Sequence, residues 1–160
     1  MSLDEWTIVG TVASLAGLII SGLTLYAATG AKEAANKANE LARGRNLIEE
    51  LQMGERRIHE IGTFLDLDQW ILVRLRSTEL VSICGIVAAR WPDKLSTEKR
   101  DDILKAQELV HTIGSSAAMA KLKVPTRESV RLMASTQLRA SQLISAALAE
   151  ALSRQEGSAA

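Results

Sequence analysis

Trp6–Ala28 reads WTIVGTVASLAGLIISGLTLYAA, and no residue from Trp6 to Ala31 carries a charge. As a helix rising 1.5 Å per residue this stretch covers roughly 34 Å, which matches the hydrocarbon thickness of a bilayer. Gly10, Ser14, Gly17, Ser21, Thr24 and Ala28 recur along it with alternating spacings of four and three, and Ala31, Ala35, Ala38 and Ala42 continue the same register. A 4-3 spacing keeps one helix face turned toward a neighbour and implies a left-handed supercoil. Small residues on that face let backbones approach closely. A composition rich in Gly, Ala, Ser and Thr is the competing explanation, since alanine favours helix wherever it stands. The ladder predicts a first helix that associates with copies of itself, by a face that is either an oligomer interface or the wall of a pore.

The flanks set an expected orientation. Asp4 and Glu5 precede the apolar run and no basic residue does, whereas Lys32, Lys37, Arg43 and Arg45 follow it closely. The acidic start and the length of the run argue for an uncleaved anchor over a signal peptide. The positive-inside rule then predicts a single pass through the inner (cytoplasmic) membrane, N-terminus outside and C-terminal part cytoplasmic, with the lipid bilayer as one partner. Trp6 and Tyr26 bracket the run where interfacial aromatics are expected.

The 160 residues leave space for one further domain, and 19 basic residues balance 19 acidic ones. From Lys32 onward the balance is 19 − 17 = +2, too weak for general nucleic-acid binding. A lone cysteine, Cys84, excludes an intrachain disulfide.

Beyond the apolar run every segment reads as helix. One long helix from about Glu5 to Gly62 is expected, with a bend at Gly30 or Gly44 as the alternative. Leu47, Ile48, Leu51, Ile58, Ile61 and Leu65 form its apolar face, with Glu49, Glu50, Arg56 and Arg57 mostly opposite. A second helix is expected near Asp66, where Asp66-Leu-Asp-Gln69 reads as a capping box, and Pro92 ends it. Its apolar half, Leu80–Ala89, is too short to cross a bilayer beside Arg74, Arg76 and Glu79, and reads as a buried core helix. Ser96 caps a third helix with the stripe Ile103, Ala106, Val110, Ile113 and Ala117. Val124-Pro125-Thr126 restarts the chain, and a fourth helix to about Arg154 presents Val130, Met133, Ile144, Leu148 and Ala151 inward. The fold class is all-α: an N-terminal transmembrane helix (1–30), a juxtamembrane continuation (31–65), a cytoplasmic helical bundle (66–155) and a disordered tail (156–160).

Catalytic signals in the pattern are weak. His59 and His111 are far apart and belong to no HExxH or paired His/Cys spacing. His59 reads as an exposed helix residue, Cys84 as a buried inert thiol, and Gly114-Ser115-Ser116 as a packing notch. No cofactor, no metal site and no enzyme activity are expected. Arg74 and Arg76, inside an apolar helix, must reach solvent, pair with carboxylates or line an aqueous space. Lys121, Lys123, Arg127 and Arg131 surround the start of the fourth helix. There cations and a helix N-terminus can receive an anion or a partner protein, a solvated turn being the plainer reading.

The Ala/Lys-rich exit Ala31-Lys-Glu-Ala-Ala-Asn-Lys-Ala38, after an N-terminal apolar run and before a helical domain, resembles the small single-pass membrane effectors of bacterial antiviral, CRISPR-associated defence. The layout is that of the pore-forming accessory proteins of type VI-B systems. The resemblance implies a multimeric ring, a membrane-perturbing role on infection, and a defence-system protein or nucleotide messenger as trigger. The Arg/His nuclease motif expected of some such domains is missing, which argues against RNA cleavage. The alternative is a non-enzymatic, membrane-anchored adaptor that recruits a cytoplasmic partner.

Overall fold

The computed structural model describes the backbone of residues 3–120 and 124–159 and the side chains of residues 21, 24, 26–120 and 124–157. Four helices follow one another: α1 (Leu3–Asp66), α2 (Trp70–Arg90), α3 (Thr97–Met119) and α4 (Arg127–Ala159). The chain divides into two compact units, Met1–Ala42 and Arg43–Ala160. The first consists of the leading part of α1. The second is a four-helix bundle made of the rest of α1 with α2, α3 and α4.

Helix α1 runs unbroken through both Gly30 and Gly44. It ends four residues beyond Gly62, in a motif different from the capping box expected at Asp66. Asp68 adopts a left-handed φ of 54°. The amide of Gln69 donates to Phe64 O at 2.9 Å and that of Asp68 to Leu65 O at 3.3 Å. This 6→1 and 5→2 pair is a Schellman closure, which satisfies the last carbonyls of α1. Asp takes the place glycine usually fills because its short polar side chain tolerates the left-handed region. The helix start therefore shifts to Trp70, and its N-cap residue, Gln69, makes no side-chain cap hydrogen bond.

The other two starts follow the sequence. Ser96 Oγ accepts from Lys99 N at 3.3 Å, and Thr126 Oγ1 accepts from Ser129 N at 3.2 Å. Each satisfies one of the orphan donors at a helix start. Helix α4 continues past Arg154, its expected end, to Ala159.

Contacts across the bundle run antiparallel at every seam. Arg57 meets Glu79 while Glu50 meets Arg90, pairing α1 with α2. Ser77 lies against Gly114 and Gly85 against Gln107, pairing α2 with α3. Ser96 bonds Glu150 at the α3–α4 seam. Gln137 Nε2 donates to Ile58 O at 3.0 Å and Ser145 Oγ to Glu55 Oε1 at 2.6 Å, which closes α4 back onto α1. The result is an up-down-up-down bundle.

The core is built mainly from the predicted stripes. All six α1 residues from Leu47 to Leu65 named above are buried, as are all five of the α3 stripe. Helix α2 contributes Val73, Leu80, Cys84, Val87 and Ala88, and α4 contributes Met133, Ala140, Ile144, Ala147, Leu148 and Ala151. Val130 packs against this cluster while only partly buried. Ala140 and Ala147 escape a search for large apolar residues, yet small side chains let α4 lie close to its neighbours.

The expected membrane placement is corrected. Among the described residues no helix is long and apolar enough to cross a membrane. The assignment to the inner membrane as a single pass with the N-terminus outside is therefore withdrawn, and the bilayer as partner goes with it. The described part of α1 from Tyr26 carries Lys32, Glu33, Lys37, Glu40, Arg43 and Arg45, too closely spaced to leave the run of about 20 apolar residues a span needs. Helix α2 is interrupted by Arg74, Arg76 and Glu79. The uncharged run behind the expectation falls mostly on residues whose side chains lie outside those described.

Candidate functional site

The ladder residues divide by position. Gly10, Ser14 and Gly17 lie outside the residues whose side chains are described. Ser21, Thr24, Ala28, Ala31, Ala35, Ala38 and Ala42 are all exposed. So is every residue from Tyr26 to Glu40. Threonines in this stretch turn back on their own helix: Thr24 Oγ1 donates to Ser21 O at 3.1 Å and Thr29 Oγ1 to Tyr26 O at 2.8 Å.

Within the bundle, two R-x-x-E pairs face each other across the α1–α2 seam. Arg57 and Glu60 are paired at 2.9 Å, and Arg76 and Glu79 at 2.8 Å. Because the helices are antiparallel, each arginine also meets the other helix's glutamate: Arg57 Nε stands 3.2 Å from Glu79 Oε2, and Arg76 Nε 2.7 Å from Glu60 Oε2. The cross-helix contacts are ion pairs without hydrogen-bond alignment. Two cations and two anions at this spacing fix the register of α1 on α2, and they absorb Arg76. Arg74 remains exposed and forms no ion pair among the described residues.

At the opposite end of this seam Trp91 is buried, and its Nε1 donates to Glu50 Oε2 at 2.7 Å. Arg43 and Arg90 lie over its ring at 5.8 and 6.0 Å. Glu50 also holds Arg90 at 3.0 Å. These contacts anchor the start of the bundle to the α2–α3 turn, since a desolvated indole N–H needs an acceptor and a ring face attracts a guanidinium.

Of the four basic residues at the start of α4, Lys121 and Lys123 lie outside the described residues. Arg127 and Arg131 are exposed and line one open cavity with Asp68, Trp70, Val124, Pro125 and Val130. The carboxylate of Asp68 in that lining opposes an anion there.

A second cleft, between α2 and α3, brings together residues that sequence spacing keeps apart. Arg74, Ser77, Thr78 and Val81 line one wall, and His111, Gly114, Ser115 and Ala118 the other. Among the described residues no carboxylate lines it. Ser77 is only 1% exposed, and its Oγ has no hydrogen-bond partner. Thr78 Oγ1 spends its proton on Arg74 O at 3.0 Å. The signals for this cleft were Arg74 in an apolar helix and the Gly114-Ser115-Ser116 notch. Only tertiary packing joins them, by setting α2 antiparallel to α3.

Other chemistry-bearing groups have structural roles. His59 is exposed, with Nδ1 2.8 Å from Glu55 O in its own helix. Burial pushes the Cys84 thiol up to about 12, against a smaller lowering by a backbone hydrogen bond. At neutral pH it is a protonated, unreactive thiol. Burial works to raise the pKa of Glu150, but the backbone and hydroxyl bonds from Ser96, with Arg154 and Lys99, outweigh it and hold the carboxyl below its usual range. Lys99 holds Asp102 low in the same way, through a hydrogen bond of 2.9 Å. Among the described residues no group of three or more His, Cys, Asp or Glu side chains could hold a metal ion.

Comparison with protein-family models, curated proteins and solved structures finds no match to this chain.

Proposed function

We propose that the chain is a non-catalytic helical adaptor whose bundle is multimerised by α1. The observation that carries this reading is the exposure of every residue from Tyr26 to Glu40 in a helix that needs neighbours for stability. A helical stretch with no buried stripe is held by side-chain pairs along its surface or by another helix. The 4-3 register of Ala28, Ala31, Ala35, Ala38 and Ala42 favours the second option, with a copy of the same helix as the neighbour. Pore formation required a bilayer crossing and is not carried forward.

The test is sedimentation velocity of the full-length protein across a concentration series. A stable multimer that dissociates when Ala35 and Ala38 are both replaced by Glu, with the bundle's melting transition unchanged, supports the reading. A monomer at all concentrations refutes it.

A second role, capture of a partner, is favoured by one end of the bundle. The α1–α2 and α3–α4 turns share that end and leave Leu67, Ile71, Met119 and Val124 exposed, at 58, 64, 64 and 85%. Arg127 and Arg131 stand beside them. Exposed apolar groups with a basic rim suit an amphipathic acidic segment of another protein.

A further inference from the structure

We infer that the α2–α3 cleft is a binding site for a small phosphate-bearing molecule, with Arg74 and His111 taking the phosphate above a floor closed by Ser77 and Gly114. This goes beyond the adaptor reading and does not depend on α1.

Every ionisable or polar side chain lining the cleft is a cation, an imidazole or a hydroxyl: Arg74, Ser77, Thr78, His111 and Ser115. In a chain with as many acidic as basic residues, a lining without a carboxylate selects for an anion. The neighbouring Arg76 is committed to Glu60 and Glu79, whereas Arg74, two residues earlier, has no ion pair among the described residues. Its guanidinium is thus available for the two parallel hydrogen bonds that arginine makes to a phosphate. His111 lines the other wall, on α3, so a guanidinium and an imidazole border the same cleft from two helices.

Ser77 closes the bottom of the cleft, at the α2–α3 seam and only 1% exposed. It sits beside Gly114, where a Cβ would come within 3.0 Å of Ser77 Cβ and 3.7 Å of Ser77 Oγ. This close packing seals Ser77 Oγ from solvent, so the groups within reach of a bound anion are Arg74 and His111 on the two walls.

Size narrows the ligand. The cleft offers about 300 Å³, the lower end of the range of about 300–1,000 Å³ for small-molecule sites. That suits one phosphate with a modest organic group. Val81 and Ala118 give the apolar wall against which the organic part would pack.

The experiment is isothermal titration calorimetry of the full-length protein with inorganic phosphate, then with adenosine monophosphate, against chloride at matched ionic strength. The inference expects saturable one-site binding of both phosphates and none of chloride. Arg74→Ala and His111→Gln should each weaken it at least tenfold, with far-UV circular dichroism showing both folded. Arg131→Ala, in the other basic cavity, should leave it unchanged. The inference is overturned if binding does not saturate, if chloride matches it, or if Arg74→Ala and His111→Gln both bind as the unaltered protein does. Loss on Arg131→Ala with Arg74→Ala intact would also overturn it, by moving the anion to the start of α4.

Discussion

Replacing Gly114 with alanine sets two effects of known sign against each other, and the second helix decides which wins. Alanine in a helix interior is favoured over glycine by about 0.8–1.0 kcal/mol. At this position the new Cβ would lie 3.0 Å from Ser77 Cβ, a contact tight enough that the neighbour must give by a few tenths of an ångström. Ser77 Cβ is bonded directly to the backbone and buried, so a rotamer change gives no relief and α2 must shift against α3. Overpacking of that kind costs about 1–3 kcal/mol. The expected net result is a loss of about 0–2 kcal/mol, equivalent to roughly 2–4 °C in melting temperature for each kcal/mol in a chain of this length. In a Ser77→Gly background the obstacle is gone, and the same Gly114→Ala change should stabilise by up to about 1 kcal/mol. A double-mutant cycle by urea unfolding, followed by far-UV circular dichroism, reads the coupling directly, expected at about 1–3 kcal/mol. Gly44→Ala is the control, because nothing lies within 4 Å of its would-be Cβ. It should stabilise by about 1 kcal/mol in either background. Equal stabilisation by Gly114→Ala in both backgrounds would refute the close approach of α2 and α3.

The Arg57–Glu60–Arg76–Glu79 cluster is part-exposed, so Glu79→Gln should cost only about 1 kcal/mol at low salt and distinctly less in molar salt, measured by urea midpoints at the two ionic strengths. An effect of the same size at both would mean that packing, not charge, holds this seam. Because the folded Glu150 carboxyl ionises below the usual carboxylate range, its contribution is present above that range and is lost as pH falls through the folded value. The stability gap between the unaltered protein and Glu150→Gln should therefore shrink on acidification, and a pH-independent gap would contradict the Ser96 bonds as its source. For Cys84 the sign is opposite. The unfolded thiol ionises near 9.0 while the folded one holds its proton to about 12, so stability should fall as pH rises through that interval, less so in Cys84→Ala. At neutral pH its alkylation by iodoacetamide should proceed only at the rate of unfolding, and fast labelling of the folded protein would show that the thiol is accessible.

Much of the bundle was legible before any coordinates. The apolar stripes of α1 and α3 carry a clean helical period, and every residue assigned to them is buried. Ser96 and Thr126 were readable as caps because a hydroxyl before a helix has one dominant use. Asp66–Gln69 misled, since the same polar residues serve a C-terminal closure or an N-terminal box, and only the left-handed φ of Asp68 distinguishes them. Arg74 and Arg76 stood out as cations in an apolar helix. Their different fates, one free in a cleft and one locked between two glutamates, depend on what α1 and α3 place beside them.

The amino-acid sequence by itself determined the helices, their buried faces and the absence of strand patterning, because helical period, capping and proline act within a few residues of chain. Tertiary structure alone decided the partners: Glu60 with Arg76, Gln137 with the Ile58 carbonyl, and Arg74 opposite His111 with Ser77 between them. These pairings join residues distant in the chain, and their geometry comes from helices settling antiparallel at glycine and alanine contacts, a property of the packed bundle that no local pattern encodes.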